Sequence, residues 1–266
     1  MSEQRYFASN EKDEVELSRI RLLQESYDPI TIRHLESIRV SEGWHCLEVG
    51  AGAGSVAQWL ATRVGPTGKV VATDIDLRFL RQVSLPNLEI RQHDILKDDL
   101  ELGKYDLVHC RCLLTHLHEP EKGLKRMAKA VHPGGCLLME ETDYGSVLST
   151  DITNPSAVSF ISAYKAGNDF LRKRGILDPY FGRRVRSLVE EIGFIELGHD
   201  GWTCMNRGGE PLARLNAMTV QALAKPMIAA GLLTQEQYDA FQRQFLDPSF
   251  YYLGLTLFAA WGKRPD

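Results

Sequence analysis

With 266 residues, 44% of them hydrophobic and 25% charged, the chain is long enough to bury one sizeable core and has the make-up of an ordinary globular protein. A formal net charge of -4 and a pI of about 6.1 leave no basic surplus to neutralise phosphates, which argues against nucleic acid as the main partner. No apolar run approaches the roughly 20 residues of a membrane span, and the N-terminal stretch lacks the apolar core of a secretory signal, so a soluble cytoplasmic protein without a membrane partner is expected.

Residues 12 to 39 carry apolar side chains at helical spacing, and Asp28-Pro29 is expected to split them into two helices. Trp44 to Val49 reads as a short strand running into a glycine-rich turn, and Ser55 to Val64 resumes helical periodicity. The alternation then repeats. Lys69 to Thr73 reads as strand, Leu77 to Val83 as helix, and Leu88 to Arg91 and Tyr105 to Cys110 as strands. Glu119 to Val131 is an amphipathic helix with Pro120 in its first turn, and Pro133-Gly134-Gly135 closes that unit ahead of a strand over Cys136 to Glu140. Strands alternating with helices imply parallel crossovers, hence an open parallel sheet with helices on both faces.

Beyond residue 145 the rhythm changes. Long helices are expected over Asn154 to Arg174 and across 210 to 246, where Thr234-x-x-Gln237 fits a capping box that starts a new helix. Arg183 to Ile192 reads as helix, Phe194 to Met205 as strand, and Phe250 to Trp261 as a closing strand. The aromatics of this half, among them Tyr164, Phe181, Trp202 and Tyr252, suit either a planar-ligand pocket or an ordinary core. Five scattered cysteines, Cys46, Cys110, Cys112, Cys136 and Cys204, predict free thiols in a reducing compartment. Cys110-x-Cys112 is too close for a zinc pair, so no metal site is expected.

The chemistry concentrates in Leu47-Glu48-Val49-Gly50-Ala51-Gly52-Ala53-Gly54. Glycines let a backbone turn sharply and approach a ligand, and the following helix offers unpaired N–H groups, so this is a nucleotide-type site at the end of a first strand. A dinucleotide fingerprint needs Gly or Ala three residues after its second glycine, where this chain has Ser55. The G-x-G-x-G spacing, with Glu48 two residues ahead, resembles motif I of the class I S-adenosylmethionine-dependent methyltransferases. Asp74 at the end of the second strand, Asp94 after the third, the Tyr105-to-Arg111 strand and Pro133-Gly134-Gly135 follow in the order of that family across residues 40 to 145.

The resemblance implies a Rossmann-like, doubly wound, seven-stranded, mostly parallel sheet with an antiparallel last strand and helical cap insertions. Its cofactor would be S-adenosyl-L-methionine. The backbone of Gly50, Ala51, Gly52 and Gly54 would pack beside the methionine part, with Glu48 near its amino end. Asp74 would accept both ribose hydroxyls and Ile75 would pack on the adenine. Asp94 would accept from the adenine amino group, with the neighbouring N–H of Ile95 at the ring, and Cys110 and Arg111 would line the floor. One domain over 40–266 is expected, with substrate-side insertions at 146–182 and 206–248, and with residues 1–39 as N-terminal helices in a cap or homo-oligomer contact.

Methyl transfer needs nucleophile, methyl carbon and sulfur in line, and a base only where the nucleophile must lose a proton. His116, just beyond the fourth strand, is the first candidate for that base, although a lone histidine often does structural work. Glu140, Glu141 and Asp143 end the fifth strand; alternation sends Glu140 and Glu141 to opposite faces, so at most one of them is expected to point inward. Glu141 can act as base, orient a substrate amine, or cap the next element. The activity implied is methylation of a small, natural-product-like molecule. Two other readings stay open: a protein that binds the cofactor without transferring methyl, whether cyclase-like or regulatory, and a nicotinamide oxidoreductase, against which Ser55 counts.

Overall fold

The computed structural model describes residues 12–231 and 233–266, so the first eleven residues of the expected N-terminal segment lie outside the described part. In chain order the elements are α1 (Asp13–Ile38), β1 (His45–Val49), α2 (Ser55–Val64), β2 (Lys69–Asp74), β3 (Leu88–Gln92), β4 (Tyr105–Arg111), α3 (Pro120–Ala130), β5 (Val131–Asp143), β6 (Leu148–Ser149) and α4 (Pro155–Lys173). They continue with α5 (Val185–Glu191), β7 (Ile195–Trp202), β8 (Met205–Arg207), α6 (Pro211–Ala229), α7 (Gln235–Leu246), β9 (Tyr251–Leu253) and β10 (Thr256–Lys263).

Seven strands form one sheet in the order β3-β2-β1-β4-β5-β10-β7. The pairs from β3 through β5 are parallel. The last strand runs the other way. Gly134 N–H donates to the Arg264 carbonyl and Arg264 N–H to that of Gly135, both at 2.8 Å, which joins the start of β5 to the end of β10. The expected sheet, mostly parallel with an antiparallel last strand, is therefore the observed one. Its strand order reverses beside β1, so the carboxyl ends of β1 and β4 open a crevice there.

The chain divides into two compact units. The sheet unit holds residues 27–141, 181–201 and 258–266. One face of its sheet carries Leu47, Val49, Val108 and Met139 against α3 and α5; the other carries Cys46, Val70, Leu107 and Leu138 against α1 and α2. Both faces are covered by helices, as a parallel sheet built by crossover helices requires. The helical unit holds residues up to 26, 142–180 and 202–257. Phe160, Phe241, Phe245, Phe250 and Tyr252 stack and cross within about 6 Å of Phe160 or one another. The buried Tyr252 hydroxyl accepts from Asn216 at 2.8 Å. These rings are core. A small sheet in the order β6-β9-β8 lies in the same unit, and Phe170, Arg174, Ile176, Pro226, Ala229 and Ala230 line a hollow of about 480 Å³ there.

Several sequence expectations need correction. α1 is one helix with Pro29 inside it, not two. The missing Pro29 N–H is outweighed by tertiary anchoring, because Asp28, Thr31 and His34 around it all bond to sheet-unit side chains. The boundary between the two units falls within this helix, at Ser26/Tyr27. The helix expected over Leu77 to Val83 shrinks to a single 3-10 turn at Leu80–Gln82; Asp76 turns back to cap Arg78 N–H, and Pro86 keeps Leu85 out of helical geometry. β5 starts before its Pro-Gly-Gly rather than after it, the strand expected over Phe194 to Met205 divides between two sheets, and the closing strand breaks at Gly254-Leu255.

The capping box at α7 forms as expected: Gln237 N–H donates to Thr234 Oγ1 at 3.1 Å and Thr234 N–H to Gln237 Oε1 at 2.8 Å. Because α7 contributes Phe241 and Phe245 to its core, Thr234→Ala is expected to lower stability by about 1 kcal/mol, read as a reduced urea midpoint at unchanged slope.

Candidate functional site

The glycine turn is built by left-handed backbone. Gly50, Gly52 and Gly54 have φ of 75°, 58° and 84°, a region where any side chain is strained. A Cβ on Gly54 would also fall 2.8 Å from Leu80 and 3.0 Å from Val83. The turn is tied to the end of β2. Gly50 and Ala51 N–H donate to the Thr73 carbonyl, and Gly52 N–H donates to Asp74 Oδ2 at 2.8 Å. Asp74 Oδ1 accepts the Asp76 N–H at 3.0 Å. Each carboxylate oxygen thus keeps capacity for a ligand hydroxyl. Burial pushes the Asp74 pKa up, and these backbone N–H groups hold it back only in part.

Beside Asp74, Ile75 leaves 50% of its surface exposed, an apolar side chain at a strand end available to a planar ring. His93 N–H donates to the Asp74 carbonyl, which ties the end of β3 to the same place. Next along, Asp94 accepts the Leu96 N–H at 2.9 Å and pairs with Lys97 at 3.0 Å. Burial would raise its pKa, but Lys97 and the Leu96 N–H bring it below the usual carboxylate value. Ile95 turns its side chain into the core, so only its backbone can face a ligand.

A second turn packs on the first. A Cβ on Gly50 would meet Leu113 at 3.2 Å, and Leu113 opens the short 3-10 turn Leu114–His116 that carries the partly exposed His116. Glu141 holds this turn from below. Its carboxylate accepts the N–H groups of Leu113, Leu114 and Thr115 at 3.0, 2.7 and 3.3 Å. Burial raises its pKa to about 7 against those donors. Cys110 stands inside the core with Sγ against Met139, so it offers the site backbone alone.

On the opposite face of the sheet lies a buried chain of charges. Glu48 Oε2 is 2.5 Å from His109 Nδ1, and His109 Nε2 is 3.1 Å from Glu140 Oε2. Glu140 Oε1 is 2.5 Å from His34 Nδ1, and Oε2 also accepts the Thr31 hydroxyl at 2.6 Å. His34 Nε2 continues to Asp200, which pairs with Arg33. Arg111, its side chain 7% exposed, donates to Thr31 at 2.8 Å and to Asp28 at 2.8 Å; Asp28 also accepts the Ser55 hydroxyl at 3.1 Å. Burial opposes charge on His109, but the Glu48 and Glu140 carboxylates raise its pKa to about 9. Its two hydrogen-bonded histidine neighbours hold Glu140 far below the usual carboxylate range despite its burial.

The expectation that only one of Glu140 and Glu141 points inward therefore fails. Both are fully buried, on opposite faces, because both faces of the sheet are covered. Asp28, Thr31, His34 and His109 were not singled out from the sequence. The signal available for His109 is a polar residue amid Leu107, Val108 and Cys110; the structure sets it in parallel register with Glu48 on the neighbouring strand. Among the described residues no three His, Cys, Asp or Glu side chains gather as metal ligands, and no helix is long and apolar enough to cross a membrane.

Residues 47–137 match a family model described as a methyltransferase domain. Methyltransferase str2 of Strobilurus tenacellus is 26% identical over 179 residues, covering 67% of this chain and 63% of that protein. A ubiquinone biosynthesis O-methyltransferase of Coxiella burnetii is 27% identical over 115 residues, covering 41% of this chain and 48% of that protein. The chain spans less than two thirds of the length of the curated relatives it matches. Among solved structures, Haemonchus contortus phosphoethanolamine N-methyltransferase 2, in complex with phosphomonomethylethanolamine and S-adenosylhomocysteine, superposes with a TM-score of 0.61 at 13% identity, covering all of this chain and 61% of that one, a likeness of fold.

The buried charges give stability a pH signature. A histidine whose pKa rises on folding from 6.5 to about 9 stabilises fully below pH 6.5 and loses that contribution as pH climbs through 9. Glu140 acts in the opposite sense, stabilising above its unfolded value and failing as pH falls. Urea denaturation is expected to show stability dropping between pH 6.5 and pH 9.5 by on the order of 3 kcal/mol more in wild type than in His109→Gln.

Proposed function

The chain carries a class I S-adenosylmethionine-dependent methyltransferase domain, and from that premise we propose that it transfers a methyl group from S-adenosyl-L-methionine to a nitrogen, oxygen or carbon atom of a small, natural-product-like molecule. The observation that carries the proposal is the bond from Gly52 N–H to Asp74, which makes the glycine turn and the carboxylate suited to ribose hydroxyls one unit, with exposed Ile75 alongside. The name of the Coxiella relative, a ubiquinone biosynthesis O-methyltransferase, supports a small-molecule acceptor.

When bound, S-adenosyl-L-methionine supplies an electrophilic methyl group on a sulfonium centre. The work of the chain is binding, alignment and exclusion of water. The backbone of Gly50, Ala51, Gly52 and Gly54 would lie beside the methionine part, with Glu48, held by His109 through Oε2, near its amino end. Asp74 accepts the ribose hydroxyls. Ile75 packs on the adenine, and Asp94 with the Ile95 N–H meets its edge. Cys110 and Arg111 contribute backbone to the floor. His116 takes the proton of an acceptor that must lose one. Glu141, with its oxygens committed to three amides, sets the turn that presents His116.

Calorimetric titration with S-adenosylhomocysteine and, separately, NADH tests the cofactor. Micromolar binding of the first alone is expected, weakened at least tenfold by Asp74→Ala, a loss of about 1.4 kcal/mol or more; NADH binding without S-adenosylhomocysteine binding overturns the proposal. With an acceptor found by S-adenosylhomocysteine release from a substrate panel, His116→Ala is expected to lower kcat by about 10²-fold or more at unchanged cofactor affinity. An unchanged kcat removes His116 from the chemistry.

A further inference from the structure

We propose that His109 is a positioning residue for the amino end of the cofactor: it holds the Glu48 carboxylate from behind, and Glu140, Thr31 and His34 hold His109 in turn. This rests on the cofactor assignment above and adds to it the part of the molecule that aims Glu48.

The argument starts from hydrogen-bond inventory. An imidazole has two ring nitrogens, and a nitrogen facing a carboxylate oxygen at bonding distance must carry a proton. His109 faces Glu48 at 2.5 Å through Nδ1 and Glu140 at 3.1 Å through Nε2, so it is a doubly donating imidazolium. Its bond to Glu48 is therefore charge-assisted, and with no exposed surface it competes with no water. Glu48 stands two residues ahead of Gly50, so fixing its carboxylate fixes an acceptor at the entry of the glycine turn.

Glu140 is locked from three directions: by His109, by the Thr31 hydroxyl and by His34. Thr31 passes the constraint on, because its hydroxyl oxygen accepts from Arg111, whose other nitrogen reaches Asp28. Asp28 then takes the hydroxyl of Ser55, the residue that follows Gly54. One network thus grips the glycine turn at both ends, through Glu48 before it and Ser55 after it, and anchors both to α1. Packing alone does not call for this. A buried ion set of this kind is costly to desolvate, and an apolar set of similar volume would serve the core as well. What an apolar set would lack is a carboxylate held in a fixed direction.

The test uses two ligands that share adenosine and thioether sulfur. S-adenosylhomocysteine carries the amino-acid end and 5′-methylthioadenosine lacks it. Wild type is expected to bind both by calorimetry. His109→Gln is expected to weaken S-adenosylhomocysteine at least tenfold while 5′-methylthioadenosine stays within twofold, and Glu48→Gln to behave alike. Thr31→Val, a milder change on α1 that leaves both charged partners in place, covers the case in which His109→Gln fails to fold; it is expected to cost S-adenosylhomocysteine alone about threefold, with native circular dichroism. Equal losses for the two ligands, or no loss for either, in a folded variant would falsify the positioning role and leave the cofactor assignment standing. A wild type that binds neither ligand overturns the cofactor assignment and this proposal with it.

Discussion

His109 sits without exposed surface between the Glu48 and Glu140 carboxylates, and none of the three could stand there alone. Leaving one partner of a buried ion pair uncompensated typically costs 3–5 kcal/mol. The three side chains therefore come as a set, and the set dictates its surroundings. Glu140 takes further donors from α1, supplied from successive turns by Thr31 and then His34. Arg111 needs acceptors, and the preceding turn of α1 provides Asp28. The docking of the 27–38 half of α1 on the sheet is thus specified by charge and direction as well as by the apolar contacts of Leu35.

The two faces of the sheet divide the labour. On the face covered by α1 and α2, polar groups bind one another and settle the geometry at the mouth of the glycine turn. On the face covered by α3 and α5, a single carboxylate, Glu141, holds three successive amides and so shapes the turn that bears His116. Adjacent residues of β5 serve both, because alternation sends neighbours to opposite sides. The end of β5 is in this sense the hinge of the candidate site, although its residues reach a ligand chiefly through what they hold.

The parts of the molecule that were legible in the sequence are those whose cause is local. α2 runs over the residues its periodicity marks, the glycine turn adopts the left-handed conformations its composition permits, and the α7 capping box forms from four consecutive residues. The crossover rhythm marked the parallel sheet, whereas its antiparallel last strand came only with the family resemblance. What failed was local preference against distant anchoring: Pro29 breaks helices in general, but here its neighbours are bonded to residues 83 to 109 positions away. The charge network escaped for the same reason. Glu48 and His109 are 61 residues apart, His34 and Glu140 106 apart, and no spacing rule joins them. The inward turn of both Glu140 and Glu141 was hidden because alternation reports which faces two residues take, and the covering of those faces is a property of the whole unit.

The place of β10 in the sheet sets an order of assembly. β7 has β10 as its neighbour, and β10 is made after the other six strands of that sheet. While synthesis is under way, β1 to β5 can pair as soon as they emerge, yet β5 keeps a bare edge and β7 has nothing to join. Such an edge is a template for pairing with another chain. Translation of this protein therefore passes through a window, running from the completion of β5 to the release of residues 256–263, in which a nearly finished sheet is exposed on one side to its neighbours on the same polysome.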